Sequence, residues 1–112
     1  QKVVNLNPDY FSYTLSKLAL ERAVALQAQA LAPQVRVVGL APGLMYPSGP
    51  QSQDNYERAA RVNLLRAPLA AQHVAQTGVF FAENPAITGI TLCVDNGQHL
   101  VPLERDVMFM IE

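Results

Sequence analysis

Tyr13 and Lys17 stand four residues apart in an alanine- and leucine-rich stretch. On a helix that spacing puts both side chains on one face, one turn from each other. A phenol ionises near pH ~10 in water and is a poor proton donor or acceptor at neutral pH. A nearby ammonium favours phenolate over phenol and lowers that value toward the working range. The pair is suited to adding a proton to a carbonyl oxygen or removing one from it.

Such a pair needs a helix to carry it and a neighbouring element to hold a ligand against it. Asn7 reads as an N-cap, Pro8 as the first helical position and Asp9 as a favourable first-turn residue. The helix should run to Leu31 or Ala32, where Pro33 ends it. Tyr13, Lys17, Leu20, Val24 and Leu31 form one stripe, and Phe11, Leu15, Leu18, Arg22 and Ala25 another, so burial on two sides is expected. Ala19, Ala23, Ala28 and Ala30 permit close backbone approach, which suits either an interior helix or a subunit interface.

Val35–Ala41 lacks polar alternation and predicts a strand covered on both faces. Its carboxyl end carries Pro42-Gly43, the place where ligands sit in open α/β sheets. Gly43 suits the close approach of a cofactor, or a simple turn. The polar, proline-broken loop from Leu44 to Asn55 is either a mobile substrate cover or a passive connection. Two helices follow, Asp54–Leu65 and Leu69–Glu83, the second with Val74, Phe80 and Phe81 turned inward. Arg58, Arg61 and Arg66 read as a solvated face. A last strand, Ile90–Asp95, precedes an Asn96-Gly97 turn. His73 has no second ligand at metal-binding spacing and reads as a surface residue. His99, beyond the turn, is open to a contact with substrate or a neighbouring subunit. The apolar tail Arg105–Glu112 should dock on its own domain or on a partner.

Composition limits the alternatives. The 112 residues suffice for one domain, and a 50 % hydrophobic content can supply its core. Eight basic against nine acidic residues, without a basic tract, argue against nucleic acid and anionic membrane as partners. No apolar run approaches the roughly 20 residues of a membrane span. The single Cys93 cannot form an internal disulfide, which fits a reducing cytoplasm, and it reads as a packed thiol rather than a nucleophile.

The order Tyr13-x-x-x-Lys17, then Val35–Ala41 ending in Pro42-Gly43, then Thr88-Gly89 leading to Val94-Asp95-Asn96-Gly97 resembles the C-terminal half of the short-chain dehydrogenase/reductase family. The resemblance spans about Tyr10 to Leu100. It departs at Asn96, where the family usually has glycine, and at Pro47, where many members carry a cofactor-contacting threonine. Within the family, Ala41–Ser48 and Val94–Leu100 look most like pteridine reductases of the dihydromonapterin or dihydrofolate type.

The resemblance implies an α/β fold, the C-terminal portion of a doubly wound Rossmann-like parallel sheet. Residues 1–112 would be the catalytic half of a single reductase domain. The Gly-rich dinucleotide-binding turn and the family's catalytic serine and asparagine would lie upstream, outside this sequence. It further implies Tyr13 as the acid/base and Lys17 as its partner and a ribose ligand. Tyr13, Lys17, Pro42, Gly43, Leu44 and Met45 would bound a nicotinamide pocket, with NADP(H) favoured over NAD(H). The substrate would be a small carbonyl or imine compound such as a dihydropterin, or else a simpler ketone or 3-oxoacyl thioester. A homo-oligomer, dimer or tetramer, is the family habit. The rival reading is a catalytically inactive folded fragment or self-association module.

Overall fold

The computed structural model describes residues 2–111. Gln1 and the tail's last residue, Glu112, lie outside the described residues. The elements run α1 (Phe11–Leu31), β1 (Gly39–Pro42), α2 (Gln53–Ala59), α3 (Ala71–Glu83), β2 (Thr91–Val94), a 3-10 turn (Gln98–Leu100) and α4 (Val107–Met110). The architecture is α/β, as expected. β1 and β2 pair in parallel, with Gly39 opposite Thr91 and Pro42 opposite Val94, and α2 and α3 lie between them in sequence. A parallel pair requires such a crossover.

The 21-residue α1 starts three residues later than the Asn7-Pro8 signal predicts. The Asn7 side chain does not cap it; its Oδ1 accepts from Asp9 N at 3.2 Å and Lys2 Nζ at 2.9 Å, closing a local turn instead. Tyr10, left-handed at φ 56°, then turns the chain into the helix. Two-sided burial of α1 is also not found. Thr14, Val24 and Ala28 are its buried residues, whereas Phe11, Leu15 and Leu26 of the outward faces are exposed.

Both strands are shorter than predicted. Upstream of Gly39, a side chain takes over part of the ladder. Thr88 Oγ1 accepts from Val37 N at 3.0 Å, and Gly89, at φ 77°, donates to Val37 O at 2.7 Å. Downstream, Gly43 N continues the alternate-residue pairing to Val94 O at 3.0 Å, and Pro42 is tolerated because its nitrogen falls on the side away from β2.

α2 ends at Ala59 rather than Leu65. Asn63 is the reason: its amide donates to Ala60 O and Ala67 O, and its Oδ1 accepts from Ala67 N, so a turn replaces the next helical rung. Ser52 caps the start, accepting from Asn55 N at 3.2 Å. α3 starts at Ala71, packs on β1 and β2, and buries Phe81 but leaves Phe80 exposed, against the inward reading of both. Carbonyls at and just beyond its C-terminal end are gathered by Arg36, whose guanidinium donates to Phe81 O at 2.8 Å, Asn84 O at 2.9 Å, Ala82 O at 3.1 Å and Ile87 O at 3.2 Å. His73 is on the surface as expected.

The tail docks on its own chain. Val107 is almost fully buried, Phe109 stacks on Tyr10 with ring centroids 6.0 Å apart, and Asn55 donates to Met108 O and Ile111 O. Two ion pairs fasten it to the segment before α1: Lys2–Asp106 at 3.0 Å and Arg105–Asp9 at 2.9 Å.

Candidate active site

The stripe of α1 that carries Tyr13, Lys17, Leu20 and Val24 faces β1 across a groove of about 980 Å³. Helical spacing alone delivers Tyr13 and Lys17 to the same opening. Lys17 Nζ lies 5.4 Å from the centroid of the Tyr13 ring, over its face. Tyr13 is 55 % exposed, so its phenol opens onto the groove rather than into the core. Behind it, Thr14 is buried and anchors the first turn through Thr14 N to Tyr10 O at 2.8 Å.

The opposite wall is the end of β1 and the turn beyond it: Pro42, Gly43, Leu44 and Met45 all border the same groove. All six residues singled out from the sequence therefore share one opening. Gly43 is packed from behind by β2. A Cβ there would lie 2.9 Å from Asp95 Cβ and 3.0 Å from Asp95 Cα, closer than side-chain atoms come, so only glycine fits without displacing backbone. Asp95 is buried and acts as the staple of the next turn: its carboxylate accepts from Gly97 N at 3.1 Å and from His99 N at 2.8 Å. Asn96 at φ 54° and Gly97 at φ 77° make that turn left-handed twice over. Asparagine is among the few residues with a side chain that adopt this conformation readily, and Asn96 Nδ2 also donates to Ala67 O at 2.8 Å. The departure at Asn96 thus costs the turn little.

Two contributions were not legible in the sequence. Tyr56, read only as a packing residue of α2, donates from its hydroxyl to Met45 O at 2.6 Å and so fixes the turn after Gly43. The segment Asp106–Met108, together with Lys2, closes one end of the groove. The apolar tail signalled docking but not where. The loop read as a cover or a connection is tied internally, Gln51 N to Ser48 O at 2.8 Å and Gln51 Nε2 to Asn55 Oδ1 at 2.7 Å, and its Tyr46, Ser48, Pro50 and Gln51 border the groove. Cys93 is half-buried rather than packed in the core, and His99 lies against Asp95, outside the groove.

A sequence profile described as enoyl-(acyl carrier protein) reductase matches residues 2–99. The chain belongs to the short-chain dehydrogenase/reductase family. Among solved structures of this family, the chain is similar to FolM alternative dihydrofolate reductase 1 from Brucella canis, complexed with NADP, at 42 % identity and a TM-score of 0.87. That match covers 94 % of this chain and 42 % of the other. FolM alternative dihydrofolate reductase 1 from Brucella suis, in complex with NADP, is 43 % identical with a TM-score of 0.85, over 88 % of this chain and 40 % of that one. A small-chain dehydrogenase in complex with NADPH shares the fold at 21 % identity and a TM-score of 0.78, over 88 % and 48 % of the two chains. The chain thus spans less than half the length of these relatives. A search of curated proteins finds no match. Among the described residues, no helix is long and apolar enough to cross a membrane.

Proposed function

We propose that these residues form the catalytic wall of an NADP(H)-dependent reductase acting on a carbonyl or imine, with a dihydropterin as substrate. The observation that carries the reading is the shared groove. Tyr13 and Lys17 enter it from α1, and Gly43, which has no room for a side chain, borders it from β1. The FolM relatives, crystallised with NADP, add the substrate class and the cofactor preference.

The groove suits the nicotinamide end of a dinucleotide: it is wide, largely apolar along β1, and backed by a turn without a Cβ at Gly43. Bound there, NADP(H) supplies the hydride. The chain's own part is to move the proton. Tyr13 gives its phenolic proton to the carbonyl oxygen or imine nitrogen as negative charge develops there. The Lys17 ammonium, beside the ring, stabilises the charge left on the phenol oxygen and offers donors for ribose hydroxyls. Pro42, Leu44 and Met45 keep water from one side of the reacting pair, and Tyr56 holds the Met45 carbonyl in place. The remaining contacts to pyrophosphate and adenosine would come from the portion of the enzyme that the relatives possess beyond this match. The family resemblance of the sequence also implies a homo-oligomer.

The test is NADPH oxidation by the complete enzyme with dihydrobiopterin, dihydrofolate and a 3-oxoacyl thioester offered in parallel. Turnover confined to the pterins supports the reading. Turnover confined to the thioester moves the enzyme to the acyl-reductase branch. A second reading, that the 112 residues alone act as an inactive self-associating module, is favoured by the exposed Phe11, Leu15 and Leu26 of α1.

A further inference from the structure

Behind the Gly43 turn lies a group of side chains that proton transfer does not use. Cys93 lies on β2, and Asp95, two residues on, follows directly after the strand's last residue. The left-handed pair Asn96–Gly97 then reverses the chain, so that His99 returns over Asp95. One ligand-type atom from each of Cys93, Asp95 and His99 lies within 4.8 Å of the other two, and His99 Nδ1 is 2.9 Å from Asp95 Oδ2. We propose that these three residues form a binding site for a borderline transition-metal dication of the Zn²⁺ class, distinct from the groove and independent of the reductase reading.

Spacing, orientation and ligand chemistry support the assignment. Tetrahedral Zn²⁺ takes sulfur at about 2.3 Å and nitrogen or oxygen at about 2.0–2.1 Å, which sets its ligands roughly 3.3–3.6 Å apart. The ligand atoms therefore need to close by at most about 1.5 Å, and the His99–Asp95 pair at 2.9 Å to open slightly, within reach of χ rotation at the half-exposed Cys93 and His99. Asp95 is already oriented. The backbone N–H groups of Gly97 and His99 fill two of the roughly four acceptor positions of its carboxylate, the usual outer support of a ligating carboxylate, and the His99 ring faces the remainder, which a metal would take over. A thiolate, an imidazole and a carboxylate together select Zn²⁺ or Co²⁺ over Mg²⁺ or Ca²⁺, which require oxygen donors. On binding, the Cys93 thiol loses its proton to solvent, and His99 ligates as neutral imidazole with the hydrogen bond from Nδ1 to Asp95 broken. Three protein ligands leave the fourth position to water. Because Gly43 abuts Asp95, occupancy would also stiffen the turn that borders the groove.

A turn closed only by an Asp95–His99 pair has no need of the thiol, and this difference is what the experiment reads. Co²⁺ is titrated into the 112-residue chain while the near-ultraviolet thiolate-to-cobalt charge-transfer band is followed. Cys93 is the sole cysteine, so any such band reports this site alone. The expected result is a band saturating at one equivalent, lost on adding Zn²⁺ and unaffected by excess Mg²⁺. Cys93→Ser should remove it. His99→Gln, checked for native fold by circular dichroism, should weaken Co²⁺ and Zn²⁺ binding at least about tenfold, the least that losing a ligand's support costs. No band at saturating Co²⁺, or affinity unchanged in His99→Gln, would overturn the proposal. Should Cys93→Ser fail to fold, the wild-type band and His99→Gln still decide the question.

Discussion

At the level of single residues, Tyr13 and Gly43 have opposite vulnerabilities. Tyr13 is exposed and makes no packing contact that a phenyl ring would forfeit, so Tyr13→Phe should leave thermal stability and cofactor affinity nearly unchanged in the complete enzyme. Turnover should fall by at least ~100-fold, the usual cost of removing a positioned acid. Steady-state rates above a tenth of wild type would remove Tyr13 from that role. Gly43 is a steric position. Gly43→Ala would drive a methyl to 2.9 Å from Asp95 Cβ, with the backbone of β2 directly behind. Overpacking of this kind costs about 1–3 kcal/mol, readable as a lowered urea midpoint. An unchanged midpoint would mean that the two turns slide apart freely. Both residues were legible in the sequence because each belongs to a short motif whose spacing has a mechanical meaning. Tyr56 was not, since nothing local distinguishes a tyrosine that packs from one whose hydroxyl holds a carbonyl eleven residues back.

At the level of elements, the type and order of the two strands and of α1 to α3 were readable from apolar runs and breakers, and their ends were not. The ends are set by side chains reaching backbone: Asn7 upstream of α1, Asn63 beyond α2, Thr88 ahead of β2. Such contacts depend on where the chain returns in space, which periodicity does not encode. Arg36 belongs to the same class. Read only as part of a β-rich run, it joins the strand approach to the C-terminal end of α3 through four carbonyls. Arg36→Ala should cost about 1–2 kcal/mol, in the range for hydrogen bonds to charged donors at a partly exposed site. Arg36→Lys should recover little of it, because a single ammonium cannot span the fork. Hydrogen exchange at the last turn of α3 would locate the loss. Full rescue by lysine would reduce the contribution to simple charge at a helix end.

At the level of the whole molecule, the segment before α1 is held to the tail by charge. Asp9 is kept below the ordinary carboxylate range first by its hydrogen bond with Arg105, then by the Asp106 N–H. A depressed carboxylate stabilises the fold above its unfolded value near 3.8 and loses that contribution as pH falls through the folded value. Unfolding midpoints should therefore decline below pH ~4 in wild type, and Asp9→Asn should flatten that acid limb while lowering stability at neutral pH. Parallel curves for the two proteins would count against the clasp. The surface points to association. The accessible area is 7230 Å² and the radius of gyration 15.2 Å. A compact monomer of this mass should show about 6,100 Å² and about 13 Å. With Phe11, Leu15 and Leu26 exposed along α1, the chain should sediment as a species heavier than 12.2 kDa at micromolar concentration, and Leu26→Glu should shift it toward the monomer. A monodisperse monomer in both would show that α1 tolerates water.

The parallel register of β1 and β2 also sets a timetable. About 50 positions separate paired residues, so at ribosomal rates of roughly 5–20 residues per second β1 emerges several seconds before its partner exists. During that interval α1 can coil from local contacts alone, while Val37 to Pro42 remains a bare apolar edge. The segment that later forms one wall of the groove thus waits unpaired on the growing chain, an apolar stretch open to a chaperone for that interval.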